Sequence, residues 1–244
     1  MEALINAFHY ERIGYRELLR GLIAHKSWII PATKQDDQYH PSLFQHNGQT
    51  FLTVYSNASL APENMDTITV DGIWLFSELP TNIHSLVIDA QSEHALQFTA
   101  EKFAELRTWS LAVQFEQRID SPQLDAPILE HILQYEGYCV PLIESDGGTQ
   151  HIALAPDQEG RKLAAVFTAE DCLSLFMQHA GSSLGAKVRI DQHKGETLLP
   201  YLFSLPIDGI VLNCYGPPSP KALDKDALVQ ILSFRENNAD NKPQ

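Results

Sequence analysis

Four short apolar blocks occur twice in this chain, in the same order. Trp28-Ile29-Ile30-Pro31 returns 110 residues later as Tyr138-Cys139-Val140-Pro141, and Val54-Tyr55-Ser56 returns 112 residues later as Val166-Phe167-Thr168. Leu75-Phe76-Ser77 pairs with Leu202-Phe203-Ser204 at 127, and Val87-Ile88-Asp89 with Val211-Leu212-Asn213 at 124. Ordered blocks whose offsets drift slowly are the mark of one supersecondary unit used twice. The drift places a deletion in the first copy where the second has a helical segment, Cys172 to Ala180. The repeat predicts an α+β protein: two tandem copies of a small mixed-sheet domain, each packed with helices. The first copy is drawn at 1–118, the linker at 119–126, the second copy at 127–234, and a disordered tail at 235–244.

Periodicity assigns the elements. Met1 to Lys26 reads as helix with a break at Gly14, because Leu18, Leu19, Leu22 and Ile23 recur at helical spacing. Trp28 to Ile30 reads as a strand stopped near Pro31, and 34–40 as a polar loop. Ser42 to His46 and Gln49 to Ser56 read as strands around Asn47-Gly48, since a type I′ turn needs positive φ at both central residues. The segment 57–70 shows no pattern. A long helix is expected from Thr99, as its cap, to Arg118, with Trp109, Leu111, Val113 and Phe115 buried where the copies pack together. In the second copy, Pro127 to Tyr135 is a helix and Tyr138 to Val140 a strand stopped near Pro141. A helix from Thr168 is expected to end at Ala180, with strands at Lys187 to Ile190 and Gly209 to Cys214, and a helix to Leu232.

The formal net charge is −14, shared evenly by the two halves. That balance excludes a nucleic-acid or anionic-lipid binder, both of which need a basic footprint. It permits a basic protein partner. No stretch approaches the roughly 18 apolar residues of a membrane span. Cys139, Cys172 and Cys214 share no metal-ligand spacing, and an odd number without a leader-like N-terminus points to a reducing, cytoplasmic setting.

The second copy resembles the SseB family, the enhanced serine sensitivity proteins, in its N-terminal-type domain. The resemblance rests on Cys139-Val140-Pro141, on the Val166-Phe167-Thr168 block, on the amphipathic Leu198 to Leu202, and on the strand end Gly209-Ile210-Val211-Leu212-Asn213. It covers about 128–232, with 15–106 as a diverged copy. Cys214 stands where the family pattern has proline; in the first copy Asp89 replaces the asparagine and Ser85 the glycine. The resemblance implies an α+β fold, a bacterial source and no settled enzymatic activity.

Few constellations suggest chemistry. Gly181-Ser182-Ser183-Leu184-Gly185 matches G-x-S-x-G, but a nucleophile elbow needs a strand before it and a helix after it. The expected order here is reversed, and Gly181 reads as a helix end. Asp36, Asp37, His40 and His46 form the densest group of metal-type ligands, yet they lie in turn-rich sequence and read as a solvated loop; no metal or other cofactor is expected. Asp146-Gly147-Gly148-Thr149 lacks the lysine of a P-loop. Tyr215 to Pro220 reads as a rigid connection. The matched pair Asp89 and Asn213 ends two strands, where α/β arrangements open onto a crevice. Thr168, Asn213 and Tyr215, with Asp89 in the first copy, are therefore the candidate binding residues, and no catalytic residue is assigned.

These readings predict a non-catalytic, cytoplasmic protein-binding (adaptor or regulatory) protein, monomeric or weakly dimeric. The alternative is a small-molecule binder or small hydrolase using a crevice in the second copy.

Overall fold

The computed structural model describes residues 1–120, 124–144, 148–155, 159–184, 187–216 and 220–239. The turn that Asp146-Gly147-Gly148 is expected to form falls outside them except for Gly148, and the last glycine of G-x-S-x-G (Gly185), Pro217, Pro218 and Ser219 lie outside them. So do Ser121 to Gln123 of the expected linker, and 240–244. The fold is α+β, and the chain divides into two compact units, Met1–Val113 and Gln114–Gln244.

The first unit opens with α1 (Glu2–His9) and α2 (Tyr15–Ala24), so the helix expected over 1–26 breaks just before Gly14, the N-cap of α2. The four apolar residues of α2 are all buried. A three-stranded antiparallel sheet follows, in the order β2 (Gln38–Pro41), β1 (Trp28–Gln35), β5 (Asp66–Val70). A second sheet has the order β3 (Leu43–His46), β4 (Gln49–Val54), β6 (Ser85–Ile88), β7 (Leu96–Thr99), with β4 and β6 parallel. α3 (Gly72–Ser77) lies on the crossover between them in sequence, and α4 (Phe103–Ile119) follows β7.

The second unit repeats this plan. α5 (Ala126–Gln134) leads to β8 (Tyr138–Glu144), flanked by β9 (Gln150–Ile152) and β12 (Lys187–His193) in an antiparallel sheet. The four-stranded sheet runs β10 (Leu154–Ala155), β11 (Leu163–Val166), β13 (Gly209–Leu212), β14 (Lys221–Asp224), with β11 and β13 parallel. α6 (Glu170–Leu184) occupies the place where the first unit has only a 3-10 turn, Ala58–Leu60. α7 (Gly195–Ser204) and α8 (Lys225–Ala239) complete the unit.

The correspondence extends to single hydrogen bonds. Ile29 and Tyr55 exchange backbone bonds at 2.9 and 2.8 Å, as Cys139 and Phe167 do at 2.8 and 2.9 Å. The Trp28 indole N–H donates to the Leu22 carbonyl at 3.0 Å, and the Tyr138 hydroxyl donates to the Ile132 carbonyl at 2.9 Å. Gly72 N–H donates to the His25 carbonyl and Gly195 N–H to the Tyr135 carbonyl, at 2.7 and 2.8 Å. The last pair registers α3 on α7 at an offset of 123 residues. The offset of 127 expected from Leu-Phe-Ser is therefore a slip of about one helical turn, natural where apolar residues recur every three or four positions.

Several expectations are corrected. Neither proline ends its strand. β1 stays in register through Pro31, opposite Thr67, and β8 through Pro141, opposite Ile190. Each proline carbonyl still accepts a backbone bond, from Ser42 at 2.8 Å and from Ala153 at 3.0 Å. The expected loop at 34–40 is a hairpin, its corner made by Asp36 and Asp37 at φ 49° and 61°. Aspartate tolerates the left-handed region better than most residues. Asn47-Gly48 turns as expected, at φ 50° and 75°. β5, β7 and β14 fall in stretches that showed no strand pattern. α6 does not stop at Ala180 but continues to Leu184, so Gly181 is not its end. α8 continues to Ala239 through the first half of the expected disordered tail. Leu111, expected to bury, is 53% exposed.

The core of the second unit has two parts. One joins Ile128, Leu129, Ile132 and Leu133 of α5 to Tyr138, Val166, Ile210 and α7, and includes Phe115 and Ile119 from the end of α4. The other lies around Phe167, Cys172 and Phe176. His131 sits at the edge of the first, its ring stacked on Phe115 at 5.5 Å and its Nε2 buried without a hydrogen-bond partner. Burial, then the charge of Arg118, pushes its pKa below 6.5, and burial likewise lowers that of His25 in the first unit. A histidine harder to protonate when folded lets the unfolded chain bind the proton first. Its stabilising effect is therefore present at neutral pH and is lost as pH falls through about 6.5. Thermal unfolding should show the melting temperature falling between about pH 7.5 and 5.5. The double variant His25→Gln with His131→Gln should show a shallower fall over that range; an unchanged slope would remove these two groups from the account.

Candidate functional site

The two strand ends singled out in the sequence are built alike. Asp89 and Asn213 follow the central parallel strands β6 and β13, and both are left-handed, at φ 52° and 54°. Their N–H groups donate to the Val54 and Val166 carbonyls, each at 2.9 Å, and their own carbonyls accept from Ser92 and Gly216. This conformation ends each strand and turns the side chain back across the neighbouring parallel strand. There it meets the residue just past that strand's end, Ser56 in the first unit and Thr168 in the second.

In the second unit the result is a closed polar cluster. Asn213 Oδ1 accepts the Thr168 N–H at 3.0 Å, and its Nδ2 donates to Thr168 Oγ1 at 2.8 Å and to Glu116 Oε1 at 3.4 Å. Thr168 Oγ1 in turn donates to Glu116, and the Tyr135 hydroxyl donates to the Thr168 carbonyl at 2.5 Å. Asn213, Thr168 and Glu116 are 1%, 2% and 3% exposed. Buried polar groups that satisfy one another hold a chain in one arrangement. The structure thus unites Thr168 and Asn213 but seals them. Tyr215 stands apart and is 39% exposed, its ring stacked on His179 at 4.8 Å.

In the first unit the same place is open. Asp89, 2% exposed, accepts from Ser56 N–H at 2.7 Å and from Ser56 Oγ at 2.8 Å. A cavity of about 390 Å³ begins beside it. Its wall includes Glu2 and Asn6 of α1, Ser56, Asp89, Glu93 and His94, together with Met1. That volume lies in the range of small-ligand sites. Among the described residues no lysine or arginine lines it. His94 packs against the rings of His9 at 4.6 Å and Tyr10 at 5.6 Å.

Sequence reasoning named Asp89, Asn213 and Thr168 but missed Glu116 and Asn6. The signal was present. The offset of 110 that matches Trp28 with Tyr138 also carries Ile5 onto Phe115 and Asn6 onto Glu116. α1 therefore has its counterpart in the end of α4.

The remaining candidates disperse. Asp36 and Asp37 form the corner of the β1–β2 hairpin, where Lys34 pairs with Asp37 at 2.9 Å, and His40 and His46 lie in β2 and β3. Among the described residues no group of three or more His, Cys, Asp or Glu could hold a metal ion. Ser183, in G-x-S-x-G, lies inside α6 rather than between a strand and a helix. Cys139, Cys172 and Cys214 stand outside any disulfide. Burial raises the pKa of Cys139 and lifts that of Cys214 to about 11, so both remain protonated at neutral pH. No helix among the described residues is long and apolar enough to cross a membrane.

No family model matches the chain, and no curated protein matches it. Among solved structures, Anabaena Tic22 (protein transport) aligns over 95% of this chain and 100% of its own, at 9% identity and a TM-score of 0.23. A likeness that slight carries no argument about fold or function.

Proposed function

We propose that this is a non-catalytic protein that binds another protein, as an adaptor or regulator, and that the first unit carries the contact. The observation behind this reading is the first unit's cavity, whose lining is polar and carries the carboxylates of Glu2, Asp89 and Glu93. The net charge of −14 fits a basic partner surface, whose approach such a field accelerates. Three cysteines outside any disulfide fit a reducing, cytoplasmic compartment. The resemblance to the SseB family, with its bacterial source, belongs to the same proposal.

The alternative placed a crevice for a small molecule in the second copy. The sealed Glu116–Thr168–Asn213 cluster does not favour that location. The test is to recover proteins on the tagged full chain, purify each candidate separately, and titrate it back by calorimetry. A partner that binds at fixed stoichiometry and weakens as salt rises supports the reading. Recovery only of proteins that fail to bind when purified counts against it.

A further inference from the structure

The two units pose one question at one place, and they answer it with opposite polarity. In the second unit, the helix residue Glu116 supplies an acceptor and the strand-end residue Asn213 supplies the donor, Nδ2, so the pair closes. In the first unit the roles are exchanged: the strand-end residue Asp89 is acceptor-only when ionised, and the helix residue is Asn6. No hydrogen bond joins Asn6 to Asp89 among the described residues, and the cavity lies where the second unit has its closed contact. A carboxylate this buried is costly unless compensated. The Asp89 carboxylate accepts two hydrogen bonds, both from Ser56, and His25 lies close enough to feel its charge. Glu93 adds a second carboxylate to the wall, while Glu2 lies in the first turn of α1, whose positive end offsets it. Among the described lining residues three are carboxylates, Glu2, Asp89 and Glu93, and His94 is the side chain that can carry a positive charge when protonated.

We propose that this cavity binds an organic cation with N–H donors, an ammonium or guanidinium group, which Asp89 and Glu93 receive as Asn213 receives Glu116 with the polarity reversed. The proposal deepens the protein-binding reading, in which that group is the tip of a lysine or arginine side chain. The same chemistry on a free amine would fill the site equally well, and the test separates the two sources.

The full chain is titrated by calorimetry and amide NMR with N-acetyl-lysine methylamide and with N-acetyl-arginine methylamide. N-acetyl-norleucine methylamide serves as the uncharged comparison. A lysine-containing octapeptide with both ends blocked is the third probe. The expected result is saturable binding of the charged probes, at least tenfold tighter than the norleucine compound, with shifts confined to residues around Asp89. Asp89→Asn should weaken it at least tenfold while leaving the melting temperature near wild type, since the new amide oxygen can still accept the Ser56 N–H as Asn213 accepts that of Thr168. Glu93→Gln serves as the second variant should Asp89→Asn unfold. Equal binding of charged and uncharged probes overturns the proposal, as does charged-probe binding that folded Asp89→Asn and Glu93→Gln both leave intact. No binding of any probe also overturns it, and the protein-binding reading then stands or falls on its own titration. Binding of the single amino-acid amides with exclusion of the octapeptide supports the cation site and removes the protein partner.

Discussion

Gly195→Ala should destabilise the second unit by more than about 4 kcal/mol, in the range reserved for gross steric or cavity effects. A Cβ built on Gly195 would stand 2.3 Å from the Ile132 carbonyl oxygen and 2.6 Å from that of Leu133. Both are backbone atoms in the last turns of α5, and neither can swing aside as a side-chain tip would. The Ile132 carbonyl is held from its other side by the Tyr138 hydroxyl at 2.9 Å, and Gly195 itself is tied to the Tyr135 carbonyl at 2.8 Å. Relief therefore requires α7 to move away from α5, opening the packing of Leu198, Leu199 and Leu202 against Ile132 and Leu133. Gly72→Ala should act the same way in the first unit, where the new Cβ would meet the Ile23 and Leu22 carbonyl oxygens at 2.4 and 2.6 Å. All three tryptophans lie in the first unit, so tryptophan fluorescence follows that unit and far-UV circular dichroism follows both. Gly72→Ala should shift the fluorescence transition. Gly14→Ala, with nothing within 4 Å of its new Cβ, should change stability by less than about 1 kcal/mol. Wild-type denaturation curves for both Gly72→Ala and Gly195→Ala would show that the helices do not approach this closely.

Asn213→Ala should cost about 3–4 kcal/mol, from two separable sources. Holding alanine at φ 54° costs about 1–2 kcal/mol. Removing the amide strips the Thr168 N–H of its acceptor and takes a donor from Glu116, buried groups whose loss of a partner costs about 1–3 kcal/mol. Asn213→Gly isolates the second source, because glycine enters the left-handed region freely; it should recover about 1 kcal/mol of the loss. Urea denaturation of the three proteins measures both. If alanine and glycine prove equally mild, the cluster does not fasten this strand end.

Much of the architecture was legible because it rests on patterns that local chemistry enforces. The α2 face, the Asn47-Gly48 hairpin and the buried strand at Gly209 each follow from spacing or from the φ a turn demands. The repeat was legible because both copies bury the same face of the same elements. The errors have physical causes too. Proline suggested strand ends at Pro31 and Pro141, but it lacks only a donor, and both carbonyls remain paired in the sheet. β7 and β14 are half-exposed strands (Leu96 to Thr99, Lys221 to Asp224) without alternation strong enough to show. The strand-end pair was visible as a pair of Asx residues. Its opposite fates were not, because these depend on Asn6 and Glu116, which lie on helices far away in sequence.

The helix Phe103–Ile119 changes hands partway along. Its opening turns close the first repeat, while Phe115, Glu116 and Ile119 open the second, as Ile5 and Asn6 open the first. Duplicated genes are usually pictured as beads that can be cut apart at a linker. Here a cut placed where the sequence looks like a linker, after Arg118, would leave the downstream fragment without the aromatic ring and the acid that complete its interior. The fragment boundary for expressing that half alone belongs near residue 112, inside a continuous helix. On the ribosome the same arrangement means that one unbroken rod is both the last piece of one fold and the first piece of the next.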